Sequence, residues 1–457
     1  MSGGTLAGSD EAEKKITGVF TDSRSPLERG LFVPIVGERF DGHAFVDGCL
    51  AEGAAAFFWQ QDHGAPPAGP AIVVEDTLKA LQQLAAAYLK ESGASVVGIT
   101  GSNGKTTTKD IVNALLSTTF KVHKTQGNYN NHIGLPLTVL SMPEDTQIAI
   151  LEMGMSGREE IRLLSRIAQP DVAVITNIGE AHLLQLGSRE EIARAKLEII
   201  SGLKRGGLLI CNGDEPLLPA VLAEPETERP EEMNIFTFGL LQDNDDYLTG
   251  MTTHDQGIIF TSKMGGQEAF NLPLLGRHNA INCLAAMAVA RHFGVGTAQM
   301  RQGLAELKLT GMRIEVISCG SGLTLLNDTY NASPLSMKAA IDTLAGYNKK
   351  NRKVAVLGDM LELGPLEQQY HREIGLYAAS AGVELLFTYG QLGSHIAEGA
   401  REKMAHDSVH AYSDKDELAA ALREALHSED IVLFKASRGM KLETVVDALR
   451  DFPLQNG

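Results

Sequence analysis

Residues 95–117, SVVGITGSNGKTTTKDIVNALLS, constrain the fold more than any other stretch of the chain. Residues 96–99 form an apolar run that reads as a buried strand; a glycine-rich turn follows, and Lys105 with three threonines opens an amphipathic helix. That order is a phosphate-binding loop. Gly101 and Gly104 let backbone N–H groups, that of Asn103 among them, approach a polyphosphate, and the helix N-terminus adds positive dipole. Lys105 would reach the outer phosphates, the Thr106 hydroxyl would ligate Mg²⁺, and Thr107 would sit beside them. The strict spacing G-x-x-x-x-G-K-S/T fails, because Ile99 occupies the position five before Gly104, and the variant here is G-x-x-G-K-T. A chance glycine turn is the competing explanation; the flanking strand and helix favour nucleotide binding over it.

At 457 residues the chain exceeds one core and implies about three domains. A net charge of −17 argues against a nucleic-acid partner, whose footprint would be basic, so an anionic ligand must be held by local cations. Cys49, Cys211, Cys283 and Cys319 are far apart and form no C-x-x-C pair, so neither a zinc site nor a disulfide framework is expected. The start, MSGGTLAGSDEAEKK, has no apolar core, and no long apolar run occurs elsewhere. A cytoplasmic protein without stable membrane insertion is expected.

The pattern predicts an α/β fold in three parts. Short apolar segments and a helix-period run from Thr77 to Lys90 suggest a small N-terminal α/β domain, 1–93, with Glu91, Ser92 and Gly93 as the hinge. From residue 94 to 311, near-continuous apolar strands (VVGIT, IAILEM, DVAVITNI, GLLICN) alternate with helical patterns. Strands of that kind are buried on both faces, which implies a parallel sheet wrapped by helices. The acidic run at 224–232 reads as a solvated connection, and the shorter alternating strands NIFTFG and GIIFTS follow it. Over 312–457 the alternation begins afresh with TLLNDTY, as in a Rossmann-like domain, but no G-x-G-x-x-G follows its first strand and a dinucleotide is not expected.

Glu152 ends the strand IAILE, and DVAVITNIGEAH delivers His182 to the same edge; with Thr106 they would bring carboxylate, imidazole and hydroxyl to one crevice, suited to one or two Mg²⁺ ions beside a triphosphate. Each alone is also explained as a solvated strand end. Ser188 and Glu191 form a capping box, so a helix starts near Arg189 and sets Lys196 on or beside an apolar face with Ile192, Ile199 and Ile200. Two readings stay open for Lys196: the amine snorkels to solvent, or burial keeps it neutral and able to take up CO₂ as a carbamate.

His278, Asn279 and Asn282 open a strongly apolar helix, where they either cap it or read a base edge. Asp328 and Asn331 follow a strand, as a plain turn or as a ribose-holding acid. Arg313 lies at the junction of the second and third domains, where a cation can reach a γ-phosphate on closure. Lys435, Arg438 and Lys441 cluster after the last strand, as a solvated basic turn or a carboxylate-binding patch.

Taken together, TDSR at 21–24, TGSNGKTTT, TQGNYNNHIGLPLTVL, LEMGMSGREEI, ITNIGEAH, NDTYNASPLSMKAAIDTL and FKASRGMK run the length of the chain in a kind and order that resembles the Mur ligases. These are the ATP-dependent amide-forming enzymes of bacterial peptidoglycan assembly. The segments are most similar to the branch that joins D-alanyl-D-alanine to UDP-N-acetylmuramoyl-tripeptide, and the DNPR pattern of the lysine-adding or diaminopimelate-adding branch is absent. Folylpolyglutamate synthase, a further relative in that superfamily, is the other enzyme alternative.

The resemblance implies an N-terminal domain that receives the UDP substrate through Ser23 and Arg24, and a central site lined by Asn128 and Asn131. It implies ATP held by Lys105, Thr106, His278, Asn279, Asn282, Asp328 and Arg313, and metal held by Thr106, Glu152, His182 and a carbamylated Lys196. Asn331, Lys435, Ser437 and Arg438 would meet the incoming dipeptide in a C-terminal domain that closes on ATP about the Gly311 region. A monomer acting on small molecules is expected.

Overall fold

The computed structural model of the chain describes residues 3–7, 15–254, 256–347 and 352–450. Most of the opening stretch read for a leader, residues 1–2 and 8–14, lies outside the described residues. Three sheets carry the fold, of five, nine and six strands.

The N-terminal sheet is parallel except for the edge strand Thr5–Ala7, which runs antiparallel to Ala71–Val74. Helix Thr77–Ser92 follows it. Asp76 caps this helix by accepting from the Lys79 N–H at 2.9 Å, and Gly93 ends it in the left-handed region, φ 68°. Glu91 and Ser92 therefore belong to the helix, and the turn expected over three residues is made at Gly93.

In the nine-stranded sheet the buried strand Ser95–Thr100 lies between Ile148–Glu152 and Val172–Ile175, all parallel. The chain goes to one side of Ser95–Thr100 first and returns to the other, so the strand order reverses there and a crevice opens at the C-terminal strand ends. Asn234–Gly239 and Asp246–His254 extend the parallel part, and Gly257–Ser262 and Phe270–Leu272 finish that edge in antiparallel pairing. Helices Lys105–Leu116 and Arg277–His292 pack on one face, the latter buried nearly all round, which explains its lack of a polar stripe. Helices Glu160–Ala168 and Arg189–Leu197 cover the other face.

The third sheet is parallel apart from its edge strand Glu315–Ser318, which pairs antiparallel with Thr324–Asn327. The apolar alternation did not reveal that edge strand, because half of it faces solvent. The segment joining the second sheet to the third is strained: Met312 and Ile314 hold φ of 63° and 50°, a region side chains rarely occupy. Among the described residues no helix is long and apolar enough to cross a membrane, and the four cysteines are buried and free.

Candidate active site

A crevice of about 520 Å³ lies between the C-terminal edge of the central sheet and the third sheet. Its floor is the glycine turn. Gly101 and Gly104 hold φ of 147° and 79°, and a Cβ would meet Thr176 Oγ1 at 1.9 Å and Asn282 Nδ2 at 2.8 Å. The turn is tied down from behind: Thr176 Oγ1 donates to Asn103 O at 2.5 Å, and the Asn177 amide both accepts from Asn103 N and donates to Asn103 O, each at 2.9 Å. No side chain caps helix Lys105–Leu116, so its first N–H groups point into the crevice with the helix dipole behind them. Asn103 Nδ2 is buried without a partner, as expected of a donor awaiting an anion. Lys105 folds back to donate to Gly101 O at 2.8 Å, and burial, with repulsion from Arg313, lowers its pKa against the pull of Glu152.

Strand ends supply the next layer. Glu152 is 3% exposed; its Oε2 accepts from Thr106 Oγ1 at 3.0 Å and its Oε1 from Asn130 Nδ2 at 2.9 Å. Arg313 Nη2 donates to the same Thr106 hydroxyl at 3.0 Å while its guanidinium stacks 4.2 Å over Tyr330. One hydroxyl thus joins the phosphate loop, a carboxylate and a cation from the domain junction. His182 lines the crevice, and its Nδ1 lies 2.8 Å from Glu362 Oε2 on a loop of the third sheet. Burial and the nearby Lys196 lower the His182 pKa, so the ring is neutral at pH 7.

For Lys196 the structure decides between solvent and burial. Helix Arg189–Leu197 is capped as expected, Ser188 Oγ accepting from Glu191 N at 3.2 Å, and Lys196 is 1% exposed among Ile192, Ile199 and Ile200. It does not snorkel; the helix ends one residue later and the chain runs on as a 3₁₀ turn at Glu198–Gly202. Burial, with repulsion from Lys105, pushes its pKa well below the usual lysine range, which favours the uncharged amine. Thr106, Glu152 and His182 offer hard oxygen and imidazole donors, which fits a divalent cation; a carbamate on Lys196 would add oxygen ligands.

His278, Asn279 and Asn282 form the wall contributed by helix Arg277–His292. Desolvation in that wall pushes His278 down to about 4. Asn279 Nδ2 donates to Leu275 O at 2.8 Å, so part of its amide serves the helix end. Asp328, Asn331 and Lys435 also line the crevice, but Lys435 Nζ is paired with Asp328 Oδ2 at 2.5 Å and Asn331 O at 2.9 Å.

Several expected residues stand elsewhere. Ser437 accepts from Leu361 N at 2.9 Å and Arg438 pairs with Glu443 at 3.0 Å, both outside the crevice lining, because the 3₁₀ turn after the last strand carries them past its mouth. Asn128 is exposed; in its place Asn130, two residues on, reaches Glu152. Asn131 lines the crevice and also caps the next helix, accepting from Gly134 N at 2.8 Å. Ser23 and Arg24 lie on the N-terminal sheet's loop, away from the crevice, with Arg24 forked onto Asp22 at 2.8 and 2.7 Å. Lys109 was missed: 1% exposed, it sits 3.8 Å from Glu152 and 3.9 Å from Asp110. Its place four residues after Lys105, on the same helix face, was the available signal.

Family models match three stretches in order: "Mur ligase family, catalytic domain" over residues 15–89, "Mur ligase middle domain" over 99–290, and "Mur ligase, glutamate ligase domain" over 312–438. The chain belongs to the Mur ligase family. Among Mur ligases it is 51% identical to the UDP-N-acetylmuramoyl-tripeptide--D-alanyl-D-alanine ligase of Bacillus subtilis (strain 168), across 99% of this chain and 97% of that protein. Solved Mur ligase structures superpose on it. A crystal structure of MurF from Acinetobacter baumannii aligns with TM-score 0.86 at 30% identity, over 98% of this chain and 96% of that one. The MurF ligase of Thermotoga maritima, in complex with ADP, gives 0.83 at 30%, over 95% and 97%.

Proposed function

We propose that this chain is the ATP-dependent ligase that joins D-alanyl-D-alanine to UDP-N-acetylmuramoyl-tripeptide, giving the UDP-pentapeptide, ADP and phosphate. The observation that carries it is the convergence of Glu152 and Arg313 on the Thr106 hydroxyl at the phosphate loop, with His182 lining the same crevice. The activity of the 51% identical relative and the ADP held by the Thermotoga structure support the substrate and the nucleotide.

A free carboxylate is a poor electrophile, so the tripeptide's terminal carboxylate oxygen first attacks the γ-phosphorus of ATP, the bond to the β–γ bridging oxygen breaks, and an acyl phosphate and ADP result. The amine of D-alanyl-D-alanine then adds to the acyl carbon, loses a proton, and phosphate leaves through a tetrahedral intermediate. The turn at Gly101, Asn103 and Gly104, with Thr107, cradles the phosphates through backbone N–H groups. Lys105 swings from Gly101 O to the transferring phosphoryl group, and Arg313 reaches it from the domain junction. Mg²⁺, held by Thr106, Glu152, His182 and a Lys196 carbamate, would supply further charge neutralisation. His278, Asn279 and Asn282 form the adenine wall and Asp328 the ribose contact; Asn331 and Lys435 face the dipeptide. Arg313 and Ser333, the latter donating to Asn103 at 3.2 Å, hold the third sheet against the loop and keep water from the acyl phosphate.

The division of labour is residues 1–93 for the UDP end, 94–311 for ATP, and 312–457 for the incoming amine. One chain supplies every group, so a monomer suffices. Free buried cysteines support a cytoplasmic setting. Mass spectrometry of products, with both tripeptides and a panel of amines, tests the reading. ADP and amide should form only when UDP-tripeptide and D-alanyl-D-alanine are both present; turnover with a free amino acid and none with the dipeptide overturns it in favour of another branch.

A further inference from the structure

The contact between His182 and Glu362 is not accounted for by the reaction above. His182 comes from the loop after strand Val172–Ile175 of the central sheet, Glu362 from the loop after strand Lys353–Gly358 of the third. Both hold left-handed backbone, φ 66° and 64°, which residues with side chains seldom adopt. A backbone bond beside them, Leu184 N to Glu362 O at 3.1 Å, fixes the two loops in register. Across that seam Glu362 Oε2 lies 2.8 Å from His182 Nδ1, within ion-pair distance but off the line of a hydrogen bond, so the buried Nδ1 has its nearest acceptor beside it and not yet bonded. The ring lines the crevice that holds Glu152 and Thr106, whereas Glu362 stays outside it.

An imidazole that binds a cation through one nitrogen is usually held by an acceptor at the other, which sets the tautomer and the ring's angle. We propose that Glu362 is a positioning residue for His182: its carboxylate, already beside Nδ1, takes the Nδ1–H when the ring turns Nε2 to the divalent cation, so that the cation's site is complete only when the third sheet's loop is seated on the central sheet. The inference rests on the cation reading given under Proposed function. It adds that cation binding and seating of the third domain favour each other, since each gains from the same histidine geometry. The carboxylate is supplied from a different domain, so no motif around His182 contains it.

The test is Mn²⁺ binding to the full chain, followed by the electron paramagnetic resonance signal of free Mn²⁺, together with ¹⁵N-histidine spectra. Wild type, Glu362→Ala, Glu362→Gln and His182→Ala are compared, with thermal unfolding as the folding check. Glu362→Ala should weaken Mn²⁺ binding by about 10-fold to 100-fold. It should also turn the single Nδ1–H tautomer of His182 into a mixture. Glu362→Gln, which keeps an acceptor of the same shape, should recover most of both and serves if the alanine variant does not fold. Mn²⁺ affinity within twofold of wild type in both Glu362 variants, while His182→Ala loses binding, overturns the proposal alone. Unchanged binding in His182→Ala, or none in wild type, overturns the cation reading and this proposal with it.

Discussion

The two walls of the crevice hold charge in opposite ways. On the central-sheet side the cations are held more loosely: Lys105 rests on the Gly101 carbonyl, and behind the lining Lys109 stands 3.8 Å from Glu152 and 3.9 Å from Asp110, while burial depresses the pKa of Lys196. On the third-sheet wall the charge is already matched, Lys435 with Asp328 at 2.5 Å, and just outside the lining Arg438 is matched with Glu443 at 3.0 Å. The first wall is built around a ligand it must receive; the second is satisfied alone and must exchange partners when a ligand arrives. That difference separates groups whose removal costs activity from groups whose removal costs stability.

The largest effect is expected at Lys196. A lysine that served only packing would tolerate Lys196→Ala with a modest loss of stability. As a carbamate carrier it should lose about 10²-fold or more in kcat/KM. Acetate or another short carboxylic acid should restore part of that by occupying the vacated space. Full activity in the variant would refute the carbamate role and break the contrast between the walls.

Next comes Glu152→Gln, which removes a carboxylate facing Thr106, Asn130 and Lys109 at once. Lys109, 1% exposed, keeps only Asp110 at 3.9 Å, and the destabilisation should be about 1–3 kcal/mol by urea unfolding. Adding Lys109→Met should recover the stability but not the ligase activity. A Glu152→Gln chain as stable as wild type would show that Lys109 does not depend on that acid.

On the opposite wall, Lys435→Ala leaves Asp328 unpaired and should cost about 1 kcal/mol, recovered by adding Asp328→Asn. If Lys435 exchanges Asp328 for the dipeptide carboxylate, the stable double variant should still show a KM for D-alanyl-D-alanine raised about tenfold. An unchanged KM would make this pair purely structural.

How much of this was legible follows the same division. The phosphate loop, Glu152 and the helix carrying Lys196 could be read because each sits at a strand end or cap with a fixed local geometry. Lys196 could be placed on an apolar face but not buried, since burial depends on the sheet above it. Among the asparagines of GNYNN, the one that reaches Glu152 is set by an irregular turn with no period, so Asn130 was passed over for Asn128. The third-sheet wall was the least legible. Lys435 and Asp328 are 107 residues apart, and nothing local to either announces the other.

The N-terminal sheet supplies a matched cluster remote from the crevice, and its removal gives the smallest effect. Asp41 Oδ1 lies 2.7 Å from His43 Nδ1 and Oδ2 lies 2.8 Å from His63 Nε2, while Asp62 meets His63 Nδ1 at 2.7 Å. The two rings stack at 4.0 Å. His43 accepts from Gln60 N at 3.2 Å, and burial lowers its pKa, so it is neutral with its proton on Nδ1. His63 faces carboxylates at both nitrogens, Asp62 first and Asp41 second, and its pKa is raised. Burial works to raise Asp41, but the His43 N–H and both rings outweigh it and hold the carboxyl at about 2. The signs follow from these directions. The His63 contribution is fully present below its unfolded value of about 6.5 and fades as pH rises through the raised folded value. The Asp41 contribution is present above its unfolded value of about 3.9 and is lost as pH falls towards 2. Between those limits both act, so His63→Gln should lower Tm by about 1–3 °C at pH 5.5 and by less at pH 9. Differential scanning calorimetry at the two values checks it, and an equal loss at both would mean that His63 contributes packing and not charge.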